Sequence, residues 1–202
     1  MFVRRCQLAD QEWDYLWNHV HEFPNSVACV TDFSNSYLHK HKYEHMQQFW
    51  CEVSSTLLGC VMRIPIDNLS DAYMPADEKA RLKKLLSNEG LPPLVTITHV
   101  LVTPNPHHDT AAVQHFWKEK LYPWMWENTV GLEGGCMFVR SDNCGGQFKS
   151  GRHFRFISEH SSLPHSKGMR LLWSHFESCH GKDLSGMRAS LLLSALLLLA
   201  LD

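Results

Sequence analysis

Two aspartates at the ends of apolar segments are the residues of this sequence best suited to carry chemistry. Asp32 lies in the segment SVACVTDFS (26–34), and Asp142 ends the segment CMFVRSD (136–142). An unpaired charge in an apolar strand is costly, so each acid must be paired, capped or bound to a metal. Ligands gather at the carboxyl ends of strands in open α/β sheets, and two acids there could hold Mg²⁺ or Mn²⁺ for phosphodiester chemistry. The alternative is that Asp32 closes its strand and bonds the turn at 34–35.

The stretch SDNCGGQFKS (141–150) has the composition of a turn that contacts phosphate. Its paired glycines permit close backbone approach, and free amides there can meet a phosphate group. Four side chains in this stretch and just after it could contact a nucleic-acid backbone: Gln147, Lys149, Arg152 and Arg155. The alternative is a tight strand-to-helix turn whose basic side chains form a solvated face.

Histidine, cysteine and one further acid offer other metal ligands. The 14 histidines indicate metal ligation, pH sensitivity or a compositional habit of surface loops. Cys144, Cys179 and His180 could hold zinc if their two loops meet, but no C-x-x-C spacing supports zinc. In the HHD turn (107–109), Asp109 is interpreted as the N-cap of the following helix, with metal ligation as the alternative.

Five blocks of this sequence resemble a widespread family of uncharacterised eukaryotic proteins that look derived from transposable elements. The blocks occur in order within residues 26–183, and SDNCGGQFK and CHGK are the most distinctive: VTDFSNSY, YEHMQQFW, HHD, SDNCGGQFKS and FESCHGKD. Proteins of this family have a DDE-type, ribonuclease-H-like core. The resemblance implies that Asp32 is the first metal-binding acid and Asp142 the second. It also implies that Asp109 stands where some ribonuclease-H-like sites put an extra carboxylate. The closing motif is then His180, Gly181 and Lys182, with Lys182 as a further contact to nucleic acid.

The sequence departs from the family pattern after the CHGK block. The family has another aspartate a few residues further on, where this chain has Gly186, and a leucine-rich segment replaces the basic helix. Asp183 or Glu177 could substitute for the missing acid; otherwise the site has only two. We therefore expect a truncated transposase-like or nuclease-like domain without efficient catalysis, because two-metal chemistry needs enough carboxylates to hold both ions.

The hydrophobic pattern predicts an α/β domain with a ribonuclease-H-like mixed sheet, in the order β-β-β-α-β-α-β, and flanking helices. Strands are predicted at 26–34, 51–66, 94–102, 136–142 and 169–178. Helices are predicted at 10–22 with Asp10 as N-cap, near Glu44, at 75–90, at 110–121 and around 152–157. The predicted organisation is an N-terminal helix (1–25), one domain (26–185) with an insertion (67–93), and an apolar tail (186–202).

Composition limits the classes of function. A net charge of −2 and a pI of about 6.7 argue against a protein held on DNA by overall charge, so any DNA binding should be weak and strongly salt-sensitive. The seven cysteines lack framework spacing and no signal peptide precedes them, which predicts reduced thiols in an intracellular protein, nuclear or cytoplasmic. The apolar run 191–201 is shorter than the roughly 20 residues of a membrane span, so no span is predicted.

Three functions are compatible with these patterns. The first is a transposase-derived, metal-dependent nucleic-acid-processing core that is incomplete or inactive. The second is a domesticated nucleic-acid-binding or protein-binding module that has kept the fold and lost the chemistry. The third is a small zinc-binding structural protein. Divalent metal binding at Asp32 and Asp142 separates the first from the second, and zinc content after purification isolates the third.

Overall fold

The computed structural model describes residues 2–33, 37–38, 54–103, 109–142 and 148–175. The helices are α1 (Phe2–His19), α2 (Ala76–Asn88), α3 (Thr110–Phe116), α4 (Tyr122–Asn128) and α5 (Gly151–Glu159). The strands are β1 (Ser26–Phe33), β2 (Tyr37–Leu38), β3 (Ser54–Pro65), β4 (Leu94–Thr103), β5 (Cys136–Ser141) and β6 (Arg170–His175). The predicted α/β class is confirmed. Within the described ranges, no helix is both long and apolar enough to cross a membrane.

The strands form a mixed sheet in the order β4-β3-β1-β5-β6, and the two-residue β2 also pairs with β3. β1 and β4 each pair antiparallel with β3, whereas β5 pairs parallel with β1 and β6 pairs parallel with β5. Strands β1, β4, β5 and β6 therefore run in one direction and end at the same side of the sheet, which we call the carboxyl edge. Parallel neighbours need crossover connections, and the helices between β4 and β5 and between β5 and β6 provide them.

The two faces of the sheet are covered by different helices. Successive side chains of a strand point to opposite faces, so each strand contributes to both layers. One face packs against α3, α4 and α5, and we call it the α3–α5 face; its central residues are Val27, Cys29, Met137 and Val139. The other packs against α1, and we call it the α1 face; its central residues are Ala28, Val30 and Phe138.

Arg63 of β3 fixes the C-terminal half of α1 on the α1 face. Its guanidinium donates to the Trp17 carbonyl oxygen at 3.1 Å and to Asn18 Oδ1 at 2.7 Å. The same group lies 5.1 Å from the centroid of a Trp17 ring, a cation–π distance. The side chain therefore holds the end of the helix through both charge and ring contact.

Arg140 of β5 fixes the middle of α1 in a similar way. Its side chain is buried, its Nη2 pairs with Asp10 Oδ1, and its guanidinium lies 5.7 Å from a Trp13 ring centroid. The prediction that Asp10 is the N-cap of a helix at 10–22 is wrong, because α1 begins at Phe2. Asp10 lies in the middle of α1, and its carboxylate forms an ion pair with the buried guanidinium of Arg140.

The helix predicted at 110–121 is longer than expected. After α3 the chain passes through a π-helical turn, Trp117–Leu121, into α4, with helical dihedral angles at both junctions. Pro123 has no backbone N–H to donate, and its ring would collide with the carbonyl four residues earlier in a regular α-helix. The wider π turn accommodates this ring, so the proline does not end the helix.

Two histidines are buried among aromatic rings on the α3–α5 face. The ring of His153 meets that of Trp173 edge-on at 4.4 Å, and neither of its nitrogens has a hydrogen-bond partner among the described residues. His160 Nε2 lies 2.6 Å from the Tyr122 hydroxyl. Burial, followed by the charge of a neighbouring histidine, lowers the pKa of each ring to about 4. A habit of surface loops therefore does not account for these two of the 14 histidines.

Because the rings of His153 and His160 are buried in their neutral form, we expect acid to destabilise the fold. An unfolded histidine takes up a proton near pH 6.5, whereas the folded rings remain neutral down to about pH 4. The stability that each neutral ring carries is therefore lost as the pH falls through this window, up to about 3 kcal/mol for each. We expect His153→Phe to raise the free energy of unfolding more at pH 5 than at pH 8, measured by urea denaturation.

The exposed His115 provides the control, as His115→Asn, because its ring lies outside the core. An equal effect of His153→Phe at both pH values would show that His153 does not stay neutral in the folded protein.

Candidate functional site

Asp32 and Asp142 lie side by side at the carboxyl edge. The parallel register of β1 and β5 runs from Ser26 opposite Cys136 to Thr31 opposite Ser141, so the next position on each chain is an aspartate. Adjacent strands lie about 4.8 Å apart, and residues at matching positions of parallel strands point to the same face. Because neighbouring residues of both strands fill the α3–α5 face, alternation places Asp32 and Asp142 on the α1 face.

The two carboxylates influence each other electrostatically. Burial, and then the charge of Asp142, raise the pKa of Asp32 to about 6, while a backbone hydrogen bond at Phe33 acts in the opposite direction. The carboxyl group of Asp32 is thus close enough to that of Asp142 for like-charge repulsion to disfavour its ionised form. The structure thus places the two predicted acids next to each other, and their role as metal ligands stays a prediction.

Asp32 has a glycine as its cross-strand neighbour on one side, and one pleat back its own strand pairs with a buried arginine. Across the antiparallel pair, Asp32 is opposite Gly59 of β3, which has no side chain. One pleat back on the same face, Val30 is opposite Arg140, whose guanidinium pairs with Asp10. The acids therefore lie at the outer end of the layer that α1 covers, and Asp32 has a glycine as its cross-strand partner.

The opposite side of this edge carries a hydrogen-bond network that the sequence analysis missed. Trp173 Nε1 donates to Ser141 Oγ at 2.8 Å, and His175 Nδ1 lies 3.2 Å from the same oxygen. Ser141 and His175 are paired residues of β5 and β6. The alternation in the segment LLWSH places Trp173 and His175 on one face, but only the parallel register shows that they meet the residue before Asp142.

Asp109 caps α3, as predicted. Its Oδ1 accepts a hydrogen bond from the Ala112 N–H at 2.8 Å. The next residue, Thr110, has its Oγ1 2.8 Å from Oγ of Ser150, which is the N-cap of α5. The first turns of α3 and α5 are therefore adjacent, in the layer on the α3–α5 face. The role of Asp109 as a metal ligand stays a prediction, and one of its carboxylate oxygens is already engaged in the cap.

The basic side chains predicted to contact nucleic acid differ in their surroundings. Lys149 and Arg152 are exposed where the chain enters α5. Lys149 is close enough to His175 to contribute to lowering the pKa of that ring, after burial. Arg155 is exposed but bonds Glu159 Oε1 through Nε at 2.9 Å, one helical turn further on.

Several predicted site residues lie outside the described residues. They are Gln147, Lys182, Asp183, Glu177 and the zinc candidates Cys144, Cys179 and His180. Within the described ranges, no group of three or more His, Cys, Asp or Glu side chains is arranged to hold a metal ion. The described part of the site is thus a pair of carboxylates. Three cysteines of the described residues, Cys29, Cys60 and Cys136, are buried free thiols of the core.

Comparison with known proteins adds no relative to these observations. No protein family, curated protein or solved structure matches the chain. The chemistry of the site therefore has to follow from its own residues: two like charges, adjacent and partly buried, at the end of a parallel strand pair.

The raised pKa of Asp32 predicts a stability cost at neutral pH. Its folded pKa of about 6 exceeds the ordinary value of 3.8, so the folded state binds the proton more tightly and loses stability as the pH rises through this window. We expect Asp32→Asn to stabilise the metal-free protein at pH 7.5 by about 2 kcal/mol, a value reduced for partial solvent screening. The difference should vanish below pH 4, as measured by urea denaturation in EDTA.

Asp14→Asn, on the exposed side of α1, is the matched control and should have little effect at either pH. Loss of stability in Asp32→Asn at pH 7.5 would show that the ionised carboxylate is stabilised by the fold rather than strained by it.

Proposed function

We propose that this chain is a transposase-derived domain with a ribonuclease-H-like core, whose Asp32–Asp142 pair binds a divalent cation, Mg²⁺ or Mn²⁺, for work on nucleic acid. The proposal includes little or no strand cleavage by the chain as written. The observation that carries it is the adjacency of two mutually repelling carboxylates at the carboxyl edge of the sheet.

The strand arrangement supports the proposed core. Three strands that are successive apart from the short β2, namely β1, β3 and β4, pair antiparallel, and two further strands follow by helical crossovers and lie parallel to β1. This arrangement, with helices on both faces, supports a core of the ribonuclease-H-like type for which the hydrophobic pattern predicts the order β-β-β-α-β-α-β. Asp32 and Asp142 then end the two central strands, where ligands of open α/β sheets collect.

The repulsion between the Asp32 and Asp142 carboxylates supports binding of a cation rather than a purely structural role for the pair. Two carboxylates on neighbouring strands repel when both are ionised, which is the state that neutral pH favours above a pKa of about 6. A divalent cation between them converts this repulsion into attraction and offers the oxygen ligands that Mg²⁺ and Mn²⁺ prefer.

The small number of carboxylates at the site supports the proposal that the chain cleaves nucleic-acid strands weakly or not at all. Two-metal cleavage holds its ions about 3.5–4 Å apart and needs several carboxylates to do so. The described site supplies two, and the position at which the family has another aspartate is Gly186. A site with two acids is better suited to one ion that positions a phosphate than to a pair that cleaves it.

Metal binding is the experiment that tests this function. We expect Mn²⁺ to raise the free energy of unfolding at pH 7.5, by about 2.7 kcal/mol at a concentration 100 times its dissociation constant. Asp32→Asn and Asp142→Asn should each abolish the increase, because one remaining carboxylate cannot bridge the ion, whereas Asp14→Asn should retain it. An equal Mn²⁺ effect in all three variants would place the ion elsewhere and refute the proposed site.

A binding module without catalysis is the second candidate, and the exposure of Lys149 and Arg152 favours it. Both cations are exposed where the chain enters α5, and Lys149 is close enough to His175, the last residue of β6, to act on its charge. The slightly negative net charge means that binding to nucleic acid depends on such local cations. Arg155 should contribute less, because Glu159 already neutralises it.

The salt dependence of DNA affinity tests whether Lys149 and Arg152 contact nucleic-acid phosphates. Each phosphate contact contributes about 0.9 to the slope of log affinity against log salt concentration. We expect the double substitution K149A/R152A to lower the slope by about 1.8, and Arg155→Ala to lower it by much less, measured by fluorescence anisotropy on duplex DNA. Arg81→Ala on α2 is the control for loss of one exposed cation. An unchanged slope in the double variant would mean that the two cations form only a solvated face.

A further inference from the structure

The backbone of Asp142 is held from the side of the sheet opposite to its carboxylate. The paired residues of β5 end at Ser141, so Asp142 follows the last position of the ladder. The carbonyl oxygen of Asp142 lies 3.2 Å from His175 Nδ1 and 3.1 Å from Ser141 Oγ. Two side chains therefore secure the peptide group at which the strand pairing stops.

The chemistry of these contacts assigns the proton on His175. A carbonyl oxygen only accepts hydrogen bonds, so the ring nitrogen facing it must donate, and Nδ1 carries the hydrogen. Ser141 Oγ accepts from Trp173 Nε1 at 2.8 Å and can give its own hydrogen to the Asp142 carbonyl. The hydrogens of His175 Nδ1 and Ser141 Oγ thus point toward the Asp142 carbonyl oxygen. The His175 ring packs edge-on against Phe154, with the ring centroids 6.3 Å apart.

The directions of the His175 and Asp142 side chains limit how His175 can interact with the two acids. Trp173 and its neighbours pack in the main core, so His175, two residues on, lies on the α3–α5 face, whereas the Asp142 carboxylate lies on the α1 face. Within the described residues, His175 does not join the two acids in a metal-binding group. The Asp142 charge acts on the His175 ring through space, but the hydrogen-bond contact between the two residues is made to the backbone of Asp142.

We propose that His175 is a positioning residue, which fixes the Asp142 peptide so that its carboxylate stays beside Asp32. This inference rests on the proposed function for its metal readout, but the positioning itself exists without metal. Residues that hydrogen-bond to a metal ligand and orient it typically change the metal affinity by about 10-fold or more when they are removed. The side-chain amide of asparagine can replace the Nδ1 donor, whereas phenylalanine keeps the ring packing and removes the donor.

The test compares His175→Phe and His175→Asn with the unmodified chain in two measurements. The first is the Mn²⁺ dissociation constant by calorimetry at pH 7.5: we expect a loss of about 10-fold in His175→Phe and near-normal affinity in His175→Asn. The second is the ¹⁵N order parameter of Asp142 in EDTA, expected to fall from about 0.85 toward 0.6 in His175→Phe only. His175→Ala replaces His175→Phe if the latter does not fold.

The two measurements separate the inference from the function on which it rests. If the unmodified chain does not bind Mn²⁺, the proposed function fails, and the order parameter alone decides the role of His175. If His175→Phe matches the unmodified chain in both measurements, His175 does not position Asp142. A role confined to overall stability would lower the melting temperature of both variants and leave the Mn²⁺ affinity and the order parameter unchanged.

Discussion

The parallel pairing of β1 with β5 is the constraint on which the site depends. Its register brings Thr31 opposite Ser141, and an aspartate follows each of them at the carboxyl edge. A shift of one residue would move one carboxylate to the other face and end the contact between the two. The crossover helices, the core beneath them and the hydrogen bonds around Ser141 all serve to hold this register. The site is thus a consequence of strand pairing, since its two acids are 110 positions apart in the chain.

The fold tolerates a repulsive pair because other interactions hold the same region. On the α1 face, two arginines bind α1 through carbonyl, amide and carboxylate oxygens and lie against Trp13 and Trp17. On the α3–α5 face, a layer of aromatic rings excludes water so well that His153 and His160 remain neutral. Charged groups left strained in an otherwise well-packed protein are typical of functional sites, where local stability is lower than the scaffold could provide.

Much of this arrangement could be predicted from sequence wherever the signal is local. Strands β1, β4 and β5 lie within one residue of their predicted bounds at each end, because apolar, β-branched runs mark them clearly. Asp109 was correctly predicted as a cap, since capping involves neighbouring residues. The errors involve distant partners: Asp10 resembles an N-cap until Arg140 is seen beside it, and His175 has no local signal for its contact with Asp142. Pairing across the sheet decides both, and no short segment of sequence encodes it.

The coupling between the two carboxylates is the central claim, and a carboxyl ¹³C NMR titration of Asp32 in metal-free protein tests it most directly. Burial and the Asp142 charge together predict a midpoint of about 6 in the unmodified chain. Replacing Asp142 with asparagine removes the like charge and leaves the burial, so the midpoint should move down toward the ordinary range of a carboxyl group. An Asp32 midpoint that is the same in the unmodified chain and in Asp142→Asn would contradict the account, because the two acids would then not share a site.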